Sequence, residues 1–263
     1  MTDPRVALDS PDAARVGRLA PAAWGWRDLT TVLGLTVVIL ALIVVSESLT
    51  VSIMGIRDGH PGQLLGVGLI ATLVFELGLL ALAVGFSVGK YRLPWPRFGF
   101  ASFPSWGWAL PVAGVLGSYA ILIVYVGIVT ALHLHQLQPT SNVPNGLFTY
   151  HNLIPLGGIE ICVLAPLAEE SFFRGFLFHG LLGKWIGPRG STMRHRLGFW
   201  GAALPSGLVF AALHAEPGLI IPFTGVGVLF AWIFCRSSSL WPNIMTHAGF
   251  NLISFAASLA AHH

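Results

Sequence analysis

The segment 166–176, PLAEESFFRGF, carries the densest chemistry in the chain. Glu170 and Arg174 are four residues apart, so a helix puts them on one face with the acid first, the favoured order for an ion pair. Such a pair neutralises two charges that are costly away from water. Glu169 sits about 100° further round the same helix and has no partner in its own segment. An unpaired buried carboxyl is suited to general-base work. Further on, FAALH puts Phe210 and His214 on one face, and THAGFN does the same for His247 and Asn251. His247 and Asn251 can both donate hydrogen bonds in one direction, as a developing oxyanion requires. Each piece alone also has a purely structural reading. Buried glutamates, histidines and amides hold apolar helices together by polar contact. Other nucleophile systems are missing: the chain has no H-E-x-x-H and no G-x-S-x-G. Ser171 and Ser206 lie near these motifs without a nucleophile signature.

Taken together and in this order, E-E-x-x-x-R, F-x-x-x-H and H-x-x-x-N on consecutive apolar segments resemble the CPBP family. This family comprises the CAAX-protease and bacteriocin-processing (Abi-type) intramembrane proteases, including the type II CAAX prenyl endopeptidases. The resemblance covers about 152–260, and no motif position is missing. It implies that Glu169 is the general base, with His214 as its partner in activating a water molecule. It further implies that His247 and Asn251 hold the tetrahedral oxygen, and that Glu170 and Arg174 are supporting residues. The implied substrate is a peptide or membrane protein, prenylated or not, and the implied setting is a bacterial plasma membrane.

Glu169, His214 and His247 are also chemically sufficient to bind zinc with a water as fourth ligand. However, they lie on three separate segments, with no i, i+4 histidine pair to template a metal. The expectation is therefore a metal-free glutamate mechanism, with a zinc-dependent metalloprotease as the alternative. A non-catalytic scaffold on the same fold is a second alternative, against which the intact His247–Asn251 pair argues. A proton-coupled transporter using Glu169 and Glu170 as a relay would call for paired half-repeats with broken helices, and the chain shows none.

The elements that must carry these residues follow from composition. Of 263 residues, 54% are hydrophobic and only 10% charged, against roughly 25% charged in a soluble domain. Lipid must cover much of such a surface. Seven apolar segments stand out, roughly 31–53, 64–88, 106–133, 152–183, 198–215, 218–235 and 240–260. Solidly apolar runs, rather than alternating ones, predict helices, because helix alone satisfies its own backbone in lipid. The fold class expected is an all-α, polytopic transmembrane bundle, with the catalytic core at 152–260 inside a bundle spanning 31–263. Seven spans with a cytoplasmic N-terminus put every one of the 14 basic residues inside except Arg57 and Arg174, as the positive-inside rule favours. Splitting 152–183 would give eight spans and send Lys184 through Arg196 outside. Pro166 would kink that long helix.

Residues 1–30 mix acidic, basic, Pro and Ala residues without a cleavable apolar core, and read as a disordered cytoplasmic tail. The net charge of +3 and basic residues placed between spans indicate topology rather than nucleic-acid binding. Cys162 and Cys235, both in apolar runs, read as free thiols. Glu47 and Glu76 read as isolated structural acids. Counting along helices at ~1.5 Å per residue puts Glu169 and His214 at matching depth, but His247 much nearer the start of its segment, which the sequence leaves unreconciled.

Overall fold

The first long element follows from a proline-free run of Val, Leu and Ile, which forms α1, Trp26–Ile53. The computed structural model describes residues 19, 21–56, 60–140, 143–144, 146–185 and 192–262, with 185 and 192–196 described by backbone alone. Proline at a first helical position, where its missing N–H costs nothing, opens α2, Pro61–Val84, which runs on through a π-helical turn, Gly85–Gly89. A short α3, Trp95–Phe98, and a 3₁₀ turn lead into α4, Ala109–Ala131. The next stretch is helical without interruption: α5 (Ile154–Ile159), a π segment (Glu160–Leu164), α6 (Ala165–Glu170), a second π segment (Ser171–Phe178) and α7 (His179–Trp185). It is followed by α8 (Thr192–Leu213), α9 (Ile220–Ser237) and α10 (Trp241–Ala260). Among the described residues there is no strand, and the chain is an all-α membrane protein.

Its surface is inverted relative to a soluble protein. Val37, Val44 and Ile53 of α1 and Leu116 and Ile123 of α4 face outward, while Glu76, Glu160, Glu170 and Arg174 are buried. Exposed apolar area of this extent requires a lipid solvent. Four helices, Trp26–Ile53, Pro61–Gly89, Ser105–Ala131 and Pro217–Ser237, are long and apolar enough to cross a membrane, and the apolar helix Leu197–Leu213 is shorter. The expected count of seven is thus met by four on length and composition. The helical stretch 154–185 and α10 carry polar motif residues, which lower their apolarity.

Helix α1 packs on α2, α2 against α6 and the second π segment, α4 against α9 and α10, and α8 against α9. The α8–α9 approach is set by two glycines: a Cβ on Gly227 would lie 2.5 Å from the Gly207 Cα. Small residues let helix backbones meet where no apolar driving force separates protein from lipid. The α9–α10 hairpin is drawn into the bundle. Ser239 and Leu240 are fully buried, Leu240 N–H donates to the Gly99 carbonyl at 2.8 Å, and Ser239 Oγ donates to that of Ala101 at 2.7 Å. Helix α10 therefore starts beneath the 95–104 segment, and the depth difference counted for His247 disappears.

The stretch expected to be a tail is corrected at its C-terminal end. Residues 1–18 and 20 lie outside the described residues. Trp24, by contrast, is fully buried, stacks on Phe176 at 5.4 Å and donates from Nε1 to the Phe176 carbonyl at 3.0 Å. The Asp28 carboxylate accepts from Gly25 N–H at 2.9 Å, from Tyr91 Oη at 2.6 Å and from Lys90. An acid in a first helical turn also suits the helix dipole. A single tryptophan and an aspartate, unremarkable in a polar sequence, dock the start of α1 on the bundle. Cys162 and Cys235 are both free thiols.

Candidate active site

The long helix 154–185 owes its local form to Pro166. In the first π segment the ladder shifts to five-residue bonds, and Ala165 N–H donates to the Glu160 carbonyl. The next bond in that register would reach the Ile161 carbonyl from Pro166, which has no N–H. Asn251 fills the vacancy from α10: its Nδ2 donates to the Ile161 carbonyl at 2.7 Å. In the second π segment, carbonyls of Phe173 and Phe176 likewise accept from side chains elsewhere, Ser206 Oγ and Trp24 Nε1, each at 3.0 Å. Bulges of this kind recur at functional sites. Here they expose carbonyls that accept from side chains elsewhere in the bundle: Asn251 on α10, Ser206 on α8 and Trp24 just before α1.

Glu170 is the anchor of the site, fully buried behind the cavity wall. Its Oε1 accepts from Arg174 Nη1 and from His247 Nδ1, both at 3.0 Å, and its Oε2 accepts from Asn243 Nδ2 at 3.4 Å. Arg174, also buried, reaches the Gly227 carbonyl with Nη2 at 3.4 Å. Its guanidinium lies over the rings of Phe210 at 4.6 Å and Phe230 at 4.9 Å, an attractive placement for a planar cation. The sequence motifs named Phe210 but gave no hint of Phe230. Asn243 was also missed, although it lies one turn before His247 at the same four-residue spacing that singled out Asn251.

Glu169, His214, His247 and Asn251 come together around one cavity of about 590 Å³, which Glu76 and Glu160 also line. His214 Nδ1 lies 2.8 Å from the Phe210 carbonyl; since a carbonyl only accepts, Nδ1 carries the proton and Nε2 is left as an acceptor. By the same reasoning His247 Nδ1 donates to Glu170. His247 Nε2 then faces Glu169 Oε2 at 4.0 Å, too long for a direct hydrogen bond and a span that one water can bridge. Glu169 Oε2 has no hydrogen-bond partner among the described residues. Asn251, expected to be free to bind an oxyanion, has committed one amide hydrogen to Ile161 and keeps its second.

Two expectations change here. Glu76 is not an isolated structural acid: it lies within hydrogen-bonding reach of Glu169 and close to Glu160. Glu47, on α1, lines the same cavity. His179, one of the ionisable residues of the motif helix, instead sets its ring edge against Trp24 at 5.3 Å. Ser171 Oγ donates to the Leu167 carbonyl at 2.7 Å.

Zinc held by Glu169, His214 and His247 would require the Glu169 and His247 ligand atoms to draw closer than the 4.0 Å they show. Bonds of about 2.0–2.2 Å around a tetrahedral zinc hold ligand atoms roughly 3.4 Å apart, shorter than the Glu169–His247 separation. Among the described residues, no three His, Cys, Asp or Glu side chains are disposed to hold a metal ion.

Comparison with known proteins bears on the same region. "Putative membrane peptidase YdiL" of Bacillus subtilis (strain 168) is 28% identical over 98 residues, which cover 37% of this chain and 35% of that protein. The match thus spans about a third of the relative's length. No solved structure matches the chain. The family model that matches, at residues 151–253, is described as "Type II CAAX prenyl endopeptidase Rce1-like". The stretch that is similar to Rce1-like type II CAAX prenyl endopeptidases is thus the one whose helices bring Glu169, His214, His247 and Asn251 around one cavity.

Proposed function

We propose that this protein is an intramembrane endopeptidase that hydrolyses a peptide bond of a membrane-associated, CAAX-like substrate with a water activated by Glu169 and without a metal. The observation that carries this reading is the Glu169 carboxylate. It is unpartnered at Oε2 and faces His247 Nε2 at 4.0 Å across a cavity that His214 and Asn251 also line.

In this mechanism water lies between Glu169 and His214 Nε2. Glu169 takes one of its protons as the oxygen attacks the carbonyl carbon. The oxyanion that forms accepts from the second amide hydrogen of Asn251 and from His247 Nε2. Because His247 Nδ1 already donates to Glu170, a donor at Nε2 means an imidazolium, whose charge the Glu170 carboxylate offsets. When the C–N bond breaks, Glu169 returns its proton to the leaving nitrogen. Preorganised donors of this kind contribute heavily to catalysis because they need no reorganisation during reaction.

The test uses purified protein in proteoliposomes and a fluorophore-quencher CAAX peptide, farnesylated or not, with products mapped by mass spectrometry. Cleavage at one bond is expected, with a rate unchanged by exhaustive chelation. A rate lost on chelation and restored by zinc would establish the metalloprotease alternative. A folded protein that binds the peptide without cleaving it would establish the scaffold alternative.

The same proposal includes seven spans with the N-terminus in the cytoplasm of a bacterial plasma membrane, on the distribution of Lys and Arg. With Cys162 and Cys235 replaced, Gly190→Cys should be labelled only from the cytoplasmic side, and a cysteine added after His263 only from outside. Labelling of both from one side would require the span count between them to be redrawn.

A further inference from the structure

Glu76 lies on α2, outside the segment that matches the protease family, and is 5% exposed. Helix α2 packs against α6 and the second π segment, the two elements that meet at Glu169 and Glu170. This brings the Glu76 carboxyl within hydrogen-bonding reach of Glu169, with Glu160 as the next acid. Glu76 lines the cavity, and its Oε2 has no hydrogen-bond partner among the described residues. The other charged or titratable groups around the cavity are Glu47, His214 and His247, while Arg174 is held by Glu170.

Two ionised carboxylates at such range repel, and neither can donate, so a hydrogen bond between them requires a proton on one. Glu169 faces the polar side of the cavity, toward His247. Phe75 and Leu79 accompany Glu76 on its own wall. The negative charge therefore belongs on Glu169 and the proton on Glu76. We infer that Glu76 is a positioning residue for this reaction: its carboxylic acid donates a hydrogen bond to the Glu169 carboxylate and fixes the direction in which that carboxylate meets water. This rests on Glu169 being the base. Without the bond, the Glu169 side chain is free to turn away from the water, and misplacement by about 1 Å can cost on the order of 10²-fold in rate.

The two roles open to an acid in an apolar helix predict opposite results. Glu76→Leu keeps the volume and suits a membrane interior, so a packing role predicts a wild-type kcat. The positioning role predicts that Glu76→Leu retains its thermal midpoint in detergent while kcat on the farnesylated CAAX peptide falls about 10²-fold, with KM little changed. Glu76→Gln, whose amide still donates, should recover most of the rate. A substrate-free measurement stands beside these. The infrared C=O stretch of a protonated carboxyl, present in wild type, should vanish in Glu76→Leu and shift in Glu169→Gln. A wild-type kcat in Glu76→Leu, or a Glu76 band indifferent to Glu169→Gln, would overturn the inference. A shifted band combined with near-normal turnover by Glu169→Gln would instead remove Glu169 as base, leaving the Glu76–Glu169 bond standing without the role inferred for it.

Discussion

Glu169→Gln should lower kcat by at least ~10²-fold while the protein folds and melts like wild type. The substitution keeps the size and shape of the side chain and removes its ability to take a proton. The amide oxygen that remains still accepts from Glu76, so the contact between α2 and α6 does not depend on that charge. The interhelical anchoring runs through Glu170, which bonds Arg174, His247 and Asn243, whereas Glu169 Oε2 has no hydrogen-bond partner among the described residues. The loss should therefore appear in kcat with KM little changed, the pattern of a contribution made in the transition state. Steady-state kinetics on the farnesylated peptide, with thermal unfolding in the same detergent, is the measurement. Near-normal cleavage by a well-folded Glu169→Gln protein would sink the general-base mechanism.

Arg174→Ala should have the second large effect, and of a different kind: loss of stability together with activity. Arg174 and Glu170 are 1% and 0% exposed at their side chains. Removing one partner of a buried pair strands the other, at a cost of about 3–5 kcal/mol. Part of that cost is recoverable, because His247 Nδ1 and Asn243 Nδ2 still donate to Glu170. Two features make arginine specific here. Its fork reaches both Glu170 and the Gly227 carbonyl, and its plane lies over Phe210 and Phe230. Lysine offers a compact ammonium that cannot make both bonds or lie flat on the rings. Arg174→Lys should therefore fall between wild type and Arg174→Ala in thermal midpoint. Arg174→Met combined with Glu170→Gln, which leaves no stranded charge, should be more stable than Arg174→Ala yet remain impaired in turnover, because His247 loses the carboxylate that orients it. An Arg174→Ala protein as stable as wild type would mean that Arg174 acts on substrate and not on Glu170.

What the sequence determined by itself is whatever lies within one helix. Four-residue spacing put Glu170 with Arg174, Phe210 with His214 and His247 with Asn251, because side chains one turn apart share a face. The excess of apolar over charged residues specified membrane helices for the same local reason, since each segment must satisfy its own backbone in lipid. Relations between helices lie outside that periodicity, and the tertiary structure decided them. Glu76 is 93 positions before Glu169 and meets it only because α2 packs on α6. Asn251 binds Ile161 because Pro166 leaves a carbonyl without its donor. His247 reaches the depth of Glu169 because the hairpin before α10 is buried under Gly99 and Ala101. Gly207 and Gly227 let α8 and α9 meet closely, beside the carbonyl that Arg174 reaches. Each of these depends on the rotation, depth and separation of two helices, which are fixed by close packing and by unsatisfied backbone groups and leave no repeat in the sequence from which to read them.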